Sequence, residues 1–245
     1  MRYGIISDIH ANQEALEVAL EWLREEGVDE VICLGDVVGY GADPNECCRL
    51  VRETASVTLL GNHDAAVIGA MSTEYYYDAA RDAIAWTRRQ LDEENLRWLY
   101  SLPYSNVRTK DDLGFFHSAP IVPSGYFYVV RKEDALTHTR IYDRLMRVTL
   151  IGHSHLTKAF RLTRDKAKDI SGKALVADGE SKLIINVGSV GQPRDHNPLG
   201  CVGLYDTETS EFLHHRFDYD RGRTAEKIKK AGLESRFGER LFQGA

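Results

Sequence analysis

The sequence predicts an α/β fold, and three features carry that prediction. Strand-like and helix-like segments alternate through the first 65 residues, amphipathic helical periodicity follows over 74–101, and most of the second half is strand-like. Residues 2–7 read as the opening strand. In the following "NQEALEVALEWLREE", Leu16, Ala19, Leu20 and Leu23 recur at helical spacing, and Gly27 supplies the stop. "DEVICLGD" contains a short buried strand, 31–34, that ends at Gly35 and Asp36. "PNECCRLVRET" is a helix with Pro44 in its first turn, and "SVTLLGNHD" is a third strand running into a Gly-Asn loop. Strand, helix, strand, helix, strand in this order implies parallel strands joined by helical crossovers. Over 74–101, Trp86, Leu91, Leu96 and Leu99 are the expected buried positions. Strand-like segments follow near 104–109 and 113–117, then a charged helix at about 132–146 and a strand at 148–151. Further strands are expected at 157–163, 182–186, 201–206 and 211–217, and a short basic helix near 223–231. We expect a single domain over 1–245 with a C-terminal tail from about 232, and a mobile loop or insertion in "SGKALVADGE", 171–180.

Composition narrows the function classes. A net charge of -6 argues against a long nucleic acid as the main partner, because such binders gain affinity by neutralising phosphates with excess Lys and Arg. A small phosphorylated molecule stays compatible if positive charge is concentrated locally, which metal ions would do. No apolar run approaches the roughly 18 to 20 residues of a membrane span, so no membrane partner is expected. "MRYGIISDIH" lacks the apolar core of a signal peptide, and Cys33, Cys47, Cys48 and Cys201 form neither a CxxC motif nor a disulfide framework. Cytoplasmic residence with reduced thiols is the expectation. There is no GxxxxGK[ST] loop, no GxGxxG after a strand and no GxSxG elbow.

Polar residues gather where strands end. "ISDIHAN" contributes Asp8, His10 and Asn12, "LGDVVGYG" contributes Asp36, and "LGNHD" contributes Asn62, His63 and Asp64. "FFHSAP" then places His117, and "IGHSH" places His153 and His155, after apolar runs. In parallel α/β sheets ligands collect at the carboxyl ends of strands, whose loops share one edge. A single Asp or His after a strand is ordinarily a cap or a hydrogen-bonded structural residue, and Asp8 could cap the helix that follows. A whole set with ligand chemistry is better explained by a shared metal centre. His, carboxylate and amide donors without cysteine suit Mn, Fe, Zn or Ni rather than a structural zinc. Asp8, His10, Asp36, Asn62, His117, His153 and His155 are seven donors, too many for one ion and enough for two that share a bridging carboxylate. Two dications, two aspartates and a bridging hydroxide leave a net charge of about +1, which favours an anionic substrate such as phosphate.

In this order the motifs "SDIHAN … GDVVGYG … GNHD … H … GHSH" resemble those of the calcineurin-like metallophosphoesterases. "NVGSVGQPRD", 186–195, resembles the compact prokaryotic branch of YfcE-like phosphodiesterases, which also includes symmetrical diadenosine tetraphosphate hydrolases. "GDVVGYG" departs from the D-R-G of the protein serine/threonine phosphatases, which weighs against phosphoprotein substrates. The resemblance implies two β-sheets packed face to face and flanked by helices, with the metals at the strand ends. It implies two divalent ions, Mn first, with Fe, Ni, Co, Zn or Mg as alternatives. Asp8, His10 and His155 would hold one, Asn62, His117 and His153 the other, and Asp36 would bridge them. His63 resembles the family histidine that faces the substrate. Asp64 either orients that imidazole or caps the next helix.

The expected reaction is hydrolysis of a phosphodiester or phosphoanhydride bond by a metal-bridging hydroxide, with diadenosine tetraphosphate as one candidate substrate. The alternatives are a phosphomonoesterase or protein phosphatase, and a non-catalytic scaffold of the same fold, like a retromer subunit of this superfamily. Tyr40 either stacks on a base or anchors its loop. Arg194 either pairs with a second phosphate or makes an internal salt bridge, for instance to Asp195. The aromatic runs "EYYYD" and "GYFYVV" are explained by packing or by a nucleotide pocket, and Arg140, Arg144 and Arg147 by a solvated helix face.

Overall fold

The computed structural model describes all residues, Met1–Ala245. In chain order the first half contains β1 (Arg2–Ile6), α1 (Gln13–Glu25), β2 (Glu30–Cys33), α2 (Pro44–Thr54) and β3 (Ala55–Thr58). Then come α3 (Asn62–Ile68), α4 (Asp78–Gln90), α5 (Glu93–Tyr100), β4 (Ser105–Arg108) and β5 (Leu113–Phe116). The second half adds α6 (Lys132–Leu136), β6 (Val148–Ile151), β7 (Ala159–Leu162), β8 (Ala167–Asp169), β9 (Leu175–Val176) and β10 (Lys182–Asn186). It ends with β11 (Gly200–Asp206), β12 (Glu211–Phe217), α7 (Arg221–Lys230) and α8 (Arg236–Glu239).

Two mixed six-stranded sheets result, ordered β3-β2-β1-β11-β12-β9 and β4-β5-β6-β10-β7-β8. Strand periodicity builds the layers. Tyr3 and Ile5 of β1 face the other sheet, joining Leu113, Phe115, Leu150, Leu183 and Ile185 in the inter-sheet core. Ile6 points the opposite way, into the core shared with α1, where Leu16, Ala19 and Leu23 are buried. A smaller core under α6 covers the outer face of the second sheet. The αββα arrangement is the two-sheet fold that the family resemblance implied.

Strand direction positions the site. β1, β2 and β3 are parallel, and so are β5, β6 and β10. The loops after β1, β2, β3, β5 and β6 therefore leave the two sheets along one common edge.

Four expected segments differ from the structure. The 74–101 stretch is two helices, because Asp92 caps α5 by accepting from the Asn95 N–H at 2.7 Å. Leu91 and Leu99 are buried there, while Trp86 and Leu96 are half-buried. The 132–146 helix is only α6 followed by a 3-10 segment, Thr137–Arg144, with a break at Ile141. Thr137 and Thr139 donate their hydroxyls back to the carbonyls of Asp134 and Leu136, which competes with regular α-helical geometry. The 171–180 stretch contributes β9 to the edge of the first sheet, with Leu175 and Ala177 buried. The segment beyond 232 also folds: Phe237 and Leu241, one helical turn apart, pack on Tyr40, Ala83 and Ile228. No helix is long and apolar enough to cross a membrane.

Candidate metal centre

The loops after β1, β2 and β6 deliver their polar residues through strained turns. Asp8, His10, Asp36, His153 and His155 have φ of 53°, 52°, 53°, 67° and 60°, the left-handed region that non-glycine residues rarely occupy. Close backbone approach makes room for them. A Cβ on Gly152 would fall 2.0 Å from Ser7 Oγ and 2.6 Å from Asp8 Oδ2, and one on Gly61 would fall 2.1 Å from Asp36 Oδ1. The loop after β1 locks onto the one after β2, with the N–H groups of Ile9 and His10 both donating to the Asp36 carbonyl.

The structure brings all seven candidate ligands together, and every one is buried. Ligand atoms of Asp8, His10, Asp36 and His155 lie within 4.8 Å of one another, as do those of Asp36, His117 and His153; Asp36 belongs to both groups. Its Oδ1 accepts the His63 N–H at 2.8 Å. Its Oδ2 stands between the groups, 3.6 Å from His10 Nε2 and 3.5 Å from His117 Nε2. Asn62 is oriented by donating its Nδ2 to the Tyr76 hydroxyl at 2.6 Å, which turns Oδ1 to 3.2 Å from His117 Nε2.

The donor chemistry tests whether cations fit. A carbonyl can only accept, so three contacts fix tautomers: His10 Nδ1–H donates to Val38 O, His117 Nδ1–H to Leu34 O and His155 Nδ1–H to Gln192 O. In the neutral rings of His10 and His155, the Nε2 atoms are then bare lone pairs. His10 Nε2 faces His155 Nε2 at 3.2 Å, and His155 Nε2 faces Asp8 Oδ1 at 3.3 Å. His153 Nε2 is buried without any partner. Acceptors turned on acceptors repel unless a cation lies between them, so these residues fit divalent ions.

The electrostatics agree. Burial pushes the Asp8 carboxyl up to about 7. Burial also disfavours the Asp36 carboxylate, yet His117, His63 and His10 hold it well below the usual range. Burial alone would lower His117, but Asp36 and Asp8 raise it to about 9. Burial keeps the other imidazoles neutral: His63 falls to about 4, His153 to about 3, and His10 and His155 lie well below the ordinary value. Neutral imidazoles are the ligating form.

An open cavity of ≈ 380 Å³ meets the cluster at Asp36, Asn62, His153 and His155. His63 and Arg194 line it, as do tyrosines from three sources: Tyr40, Tyr75 to Tyr77 of "EYYYD", and Tyr126 and Tyr128 of "GYFYVV". Tyr128 stacks on His153 with ring centroids 4.1 Å apart. Both aromatic runs thus reach the site instead of serving packing alone. Tyr40 anchors its loop by packing on Phe237, and it also lines the cavity 4.4 Å from His63.

The contacts decide three alternatives that the sequence left open. Asp64 does not orient His63: its carboxylate accepts the N–H groups of Val38 and Gly61, each at 3.1 Å, so it ties two loops together and caps α3. Asp8 does not cap α1; Asn12 does, accepting from the Ala15 N–H. The internal salt bridge considered for Arg194 is also not made, since Asp195 pairs with Arg216. Sequence reasoning missed Ser7, which donates to Asp8 at 2.7 Å, and Asn186, which donates to Gly152 O and Ser154 Oγ beneath the "GHSH" loop. It also missed Gln192 and Arg240. Gln192 lay inside the "GQPRD" segment already singled out, whereas Arg240 carries no motif.

A family model described as the calcineurin-like phosphoesterase superfamily domain matches residues 1–210. The chain is 36% identical over 244 residues to the uncharacterized protein MJ0912 of Methanocaldococcus jannaschii, covering 98% of this chain and 97% of that one. It resembles the crystal structure of a metallophosphoesterase from Sphaerobacter thermophilus with a TM-score of 0.83 and 32% identity, covering 100% and 99% of the two chains. The hypothetical protein PH1004 of Pyrococcus horikoshii shares the fold, with a TM-score of 0.79 at 19% identity, over 100% and 98%. Motif order, two-sheet fold and clustered ligands lead to one assignment: the chain belongs to the calcineurin-like phosphoesterase superfamily.

Proposed function

We propose that this chain is a metal-dependent phosphohydrolase that cleaves phosphodiester or phosphoanhydride bonds in small phosphorylated molecules. Asp8, His10 and His155 hold one divalent cation, Asn62, His117 and His153 hold a second, and Asp36 is shared. The observation that carries this reading is the convergence of bare imidazole and carboxylate acceptors within 4.8 Å. When bound, the two cations supply a water of lowered pKa and neutralise phosphoryl oxygens. The chain does the rest by positioning. The carbonyls of Val38, Leu34 and Gln192 hold three imidazoles in the ligating tautomer, and Ser7 and the His153 N–H keep the Asp8 carboxylate in place. His63 is neutral and lines the cavity, so it offers a ring N–H to a phosphoryl or leaving-group oxygen.

A nucleotide suits the tyrosine-lined cavity, whose rings can take a base face to face. Dinucleoside polyphosphates such as diadenosine tetraphosphate are the first substrates to test, and Mn the first cation. Protein stripped of metal would be reloaded separately with Mn, Mg, Co, Ni and Zn. It would then be assayed on diadenosine tetraphosphate, bis-p-nitrophenyl phosphate and p-nitrophenyl phosphate. Fast release of two ADP is the expected result. Turnover of the aryl esters alone would keep the hydrolase and reject the dinucleotide. No turnover with any metal would overturn the enzyme reading in favour of a binding scaffold.

A further inference from the structure

We infer that Arg194 and Arg240 together form a second anion subsite, which takes a phosphate group of the substrate other than the one under attack. This rests on the phosphohydrolase reading above and narrows its substrates to molecules carrying at least two phosphates.

The two guanidinium groups come from distant parts of the chain and meet on one neutral acceptor. Arg194 Nη2 and Arg240 Nη2 both donate to Gln192 Oε1, at 2.8 and 2.5 Å. Neither is paired with a carboxylate, and the adjacent Asp195 is already held by Arg216. The Nε atoms of both arginines are buried without a hydrogen-bond partner. Two like charges on a single amide oxygen repel, and an amide oxygen cannot neutralise them. Burial, with Arg194 adding to it, accordingly lowers the pKa of Arg240. A phosphate supplies what the pair lacks: negative charge, and several acceptor oxygens matched to the guanidinium fork.

Position sets which phosphate this is. The Tyr40 ring lies under both cations, 4.6 Å from Arg240 Cζ and 5.8 Å from Arg194 Cζ. The same ring is 4.4 Å from His63 and 5.0 Å from His10. An anion on the pair is therefore one aromatic ring away from the reacting centre rather than on it. Arg194 lines the metal-site cavity, Arg240 lines an adjoining one, and Tyr77 lines both. The subsite is also preformed. Phe237 and Leu241 anchor the C-terminal segment, and the Gly244 carbonyl accepts the His196 N–H at 2.8 Å. Gln192 links the two places, its backbone oxygen holding the His155 imidazole while its side chain gathers the arginines.

Calorimetric titration with pyrophosphate and with orthophosphate, on Mn-loaded and on metal-free protein, tests this. Arg240→Gln should weaken pyrophosphate binding about tenfold or more in both forms. Arg240→Lys, which keeps the charge and loses the fork, should weaken it less. Lys229→Gln, at an exposed cation of α7, should leave it unchanged. In steady-state assays Arg240→Gln should lower kcat/KM for diadenosine tetraphosphate at least about tenfold more than for bis-p-nitrophenyl phosphate. Equal pyrophosphate affinity in wild type and Arg240→Gln, or none in metal-free wild type, would overturn the subsite. So would equal losses on the two substrates, which would place the pair on the reacting phosphate, or equal affinity for orthophosphate, which would make it a general anion site. If Arg240→Gln melts below the wild type, Arg240→Lys and Arg194→Gln carry the same test. Binding to metal-free protein does not depend on turnover, so an inactive protein that still binds pyrophosphate through the pair would refute the function and leave the anion site standing.

Discussion

The two halves of the ligand cluster differ in how they meet solvent. On one side, Asp8 and His10 do not line the cavity and only His155 reaches it, and Asp8 receives the Ser7 hydroxyl and the His153 N–H. On the other, His117 is held by the Leu34 carbonyl, while Asn62 and His153 face the cavity and have the side chains of Tyr76 and Tyr128 as outer contacts. On the proposed assignment, the side held by backbone and small buried groups would keep its ion the more tightly. The side held by cavity-lining tyrosines would exchange one more readily and receive substrate. Asp36 joins them, with Oδ2 about equally far from an imidazole of each.

Breaking that joint should have the largest effect. Asp36→Asn removes the shared charge and weakens both sides at once, so turnover should fall further than for any single ligand while the chain stays folded by circular dichroism. Normal turnover in folded Asp36→Asn protein would refute the two-ion assignment. His63→Gln comes next, with kcat lower by about 10²- to 10⁴-fold and metal stoichiometry intact, measured by elemental analysis beside the assay. Loss of metal in that variant would make His63 a ligand instead.

The sequence exposed the ligands and hid their supports for a physical reason. Each candidate ligand is a polar side chain at the end of an apolar strand, which is a visible juxtaposition. The groups that fix tautomers are the carbonyls of Leu34, Val38 and Gln192, and a carbonyl is present at every position. The left-handed turns at Asp8, His10, Asp36, His153 and His155 follow from loop crowding that no local residue pattern encodes. Asp64 stayed open between two roles because its partners are two backbone N–H groups, which no motif displays. Alternating segments implied α/β, but periodicity does not say which sheet a strand joins; the two-sheet layering came from the family resemblance. Arg240 became legible only when the C-terminal segment was seen folded against Tyr40.

Titration separates the two sides more finely. His117 on the open side has its pKa raised to about 9, with Asp36 overcoming burial, whereas Asp8 on the closed side is raised by burial to about 7. A cation must displace any proton on these groups, so affinity falls as pH falls. The open side should weaken about tenfold per pH unit from about 9 downward, and the closed side only below about 7. The other histidines are depressed too far to compete in that range. Two-site Mn titrations between pH 6 and pH 9 read this directly. Parallel pH profiles for the two sites would show that Asp36 couples them too strongly for the halves to be treated apart.

The smallest effect should come from one hydroxyl. Tyr76 accepts from Asn62 Nδ2, and that bond keeps the amide oxygen turned into the cluster. In Tyr76→Phe the buried amide has no partner on its outer side, and rotation would present NH₂ where a cation needs oxygen. Affinity at the open side should fall about tenfold, the low end for losing a group that orients a ligand. The closed side should not change, because none of its contacts passes through Tyr76. Equal weakening at both would mean that Asn62 organises the whole cluster. An unchanged open site would mean that the cation alone orients the amide.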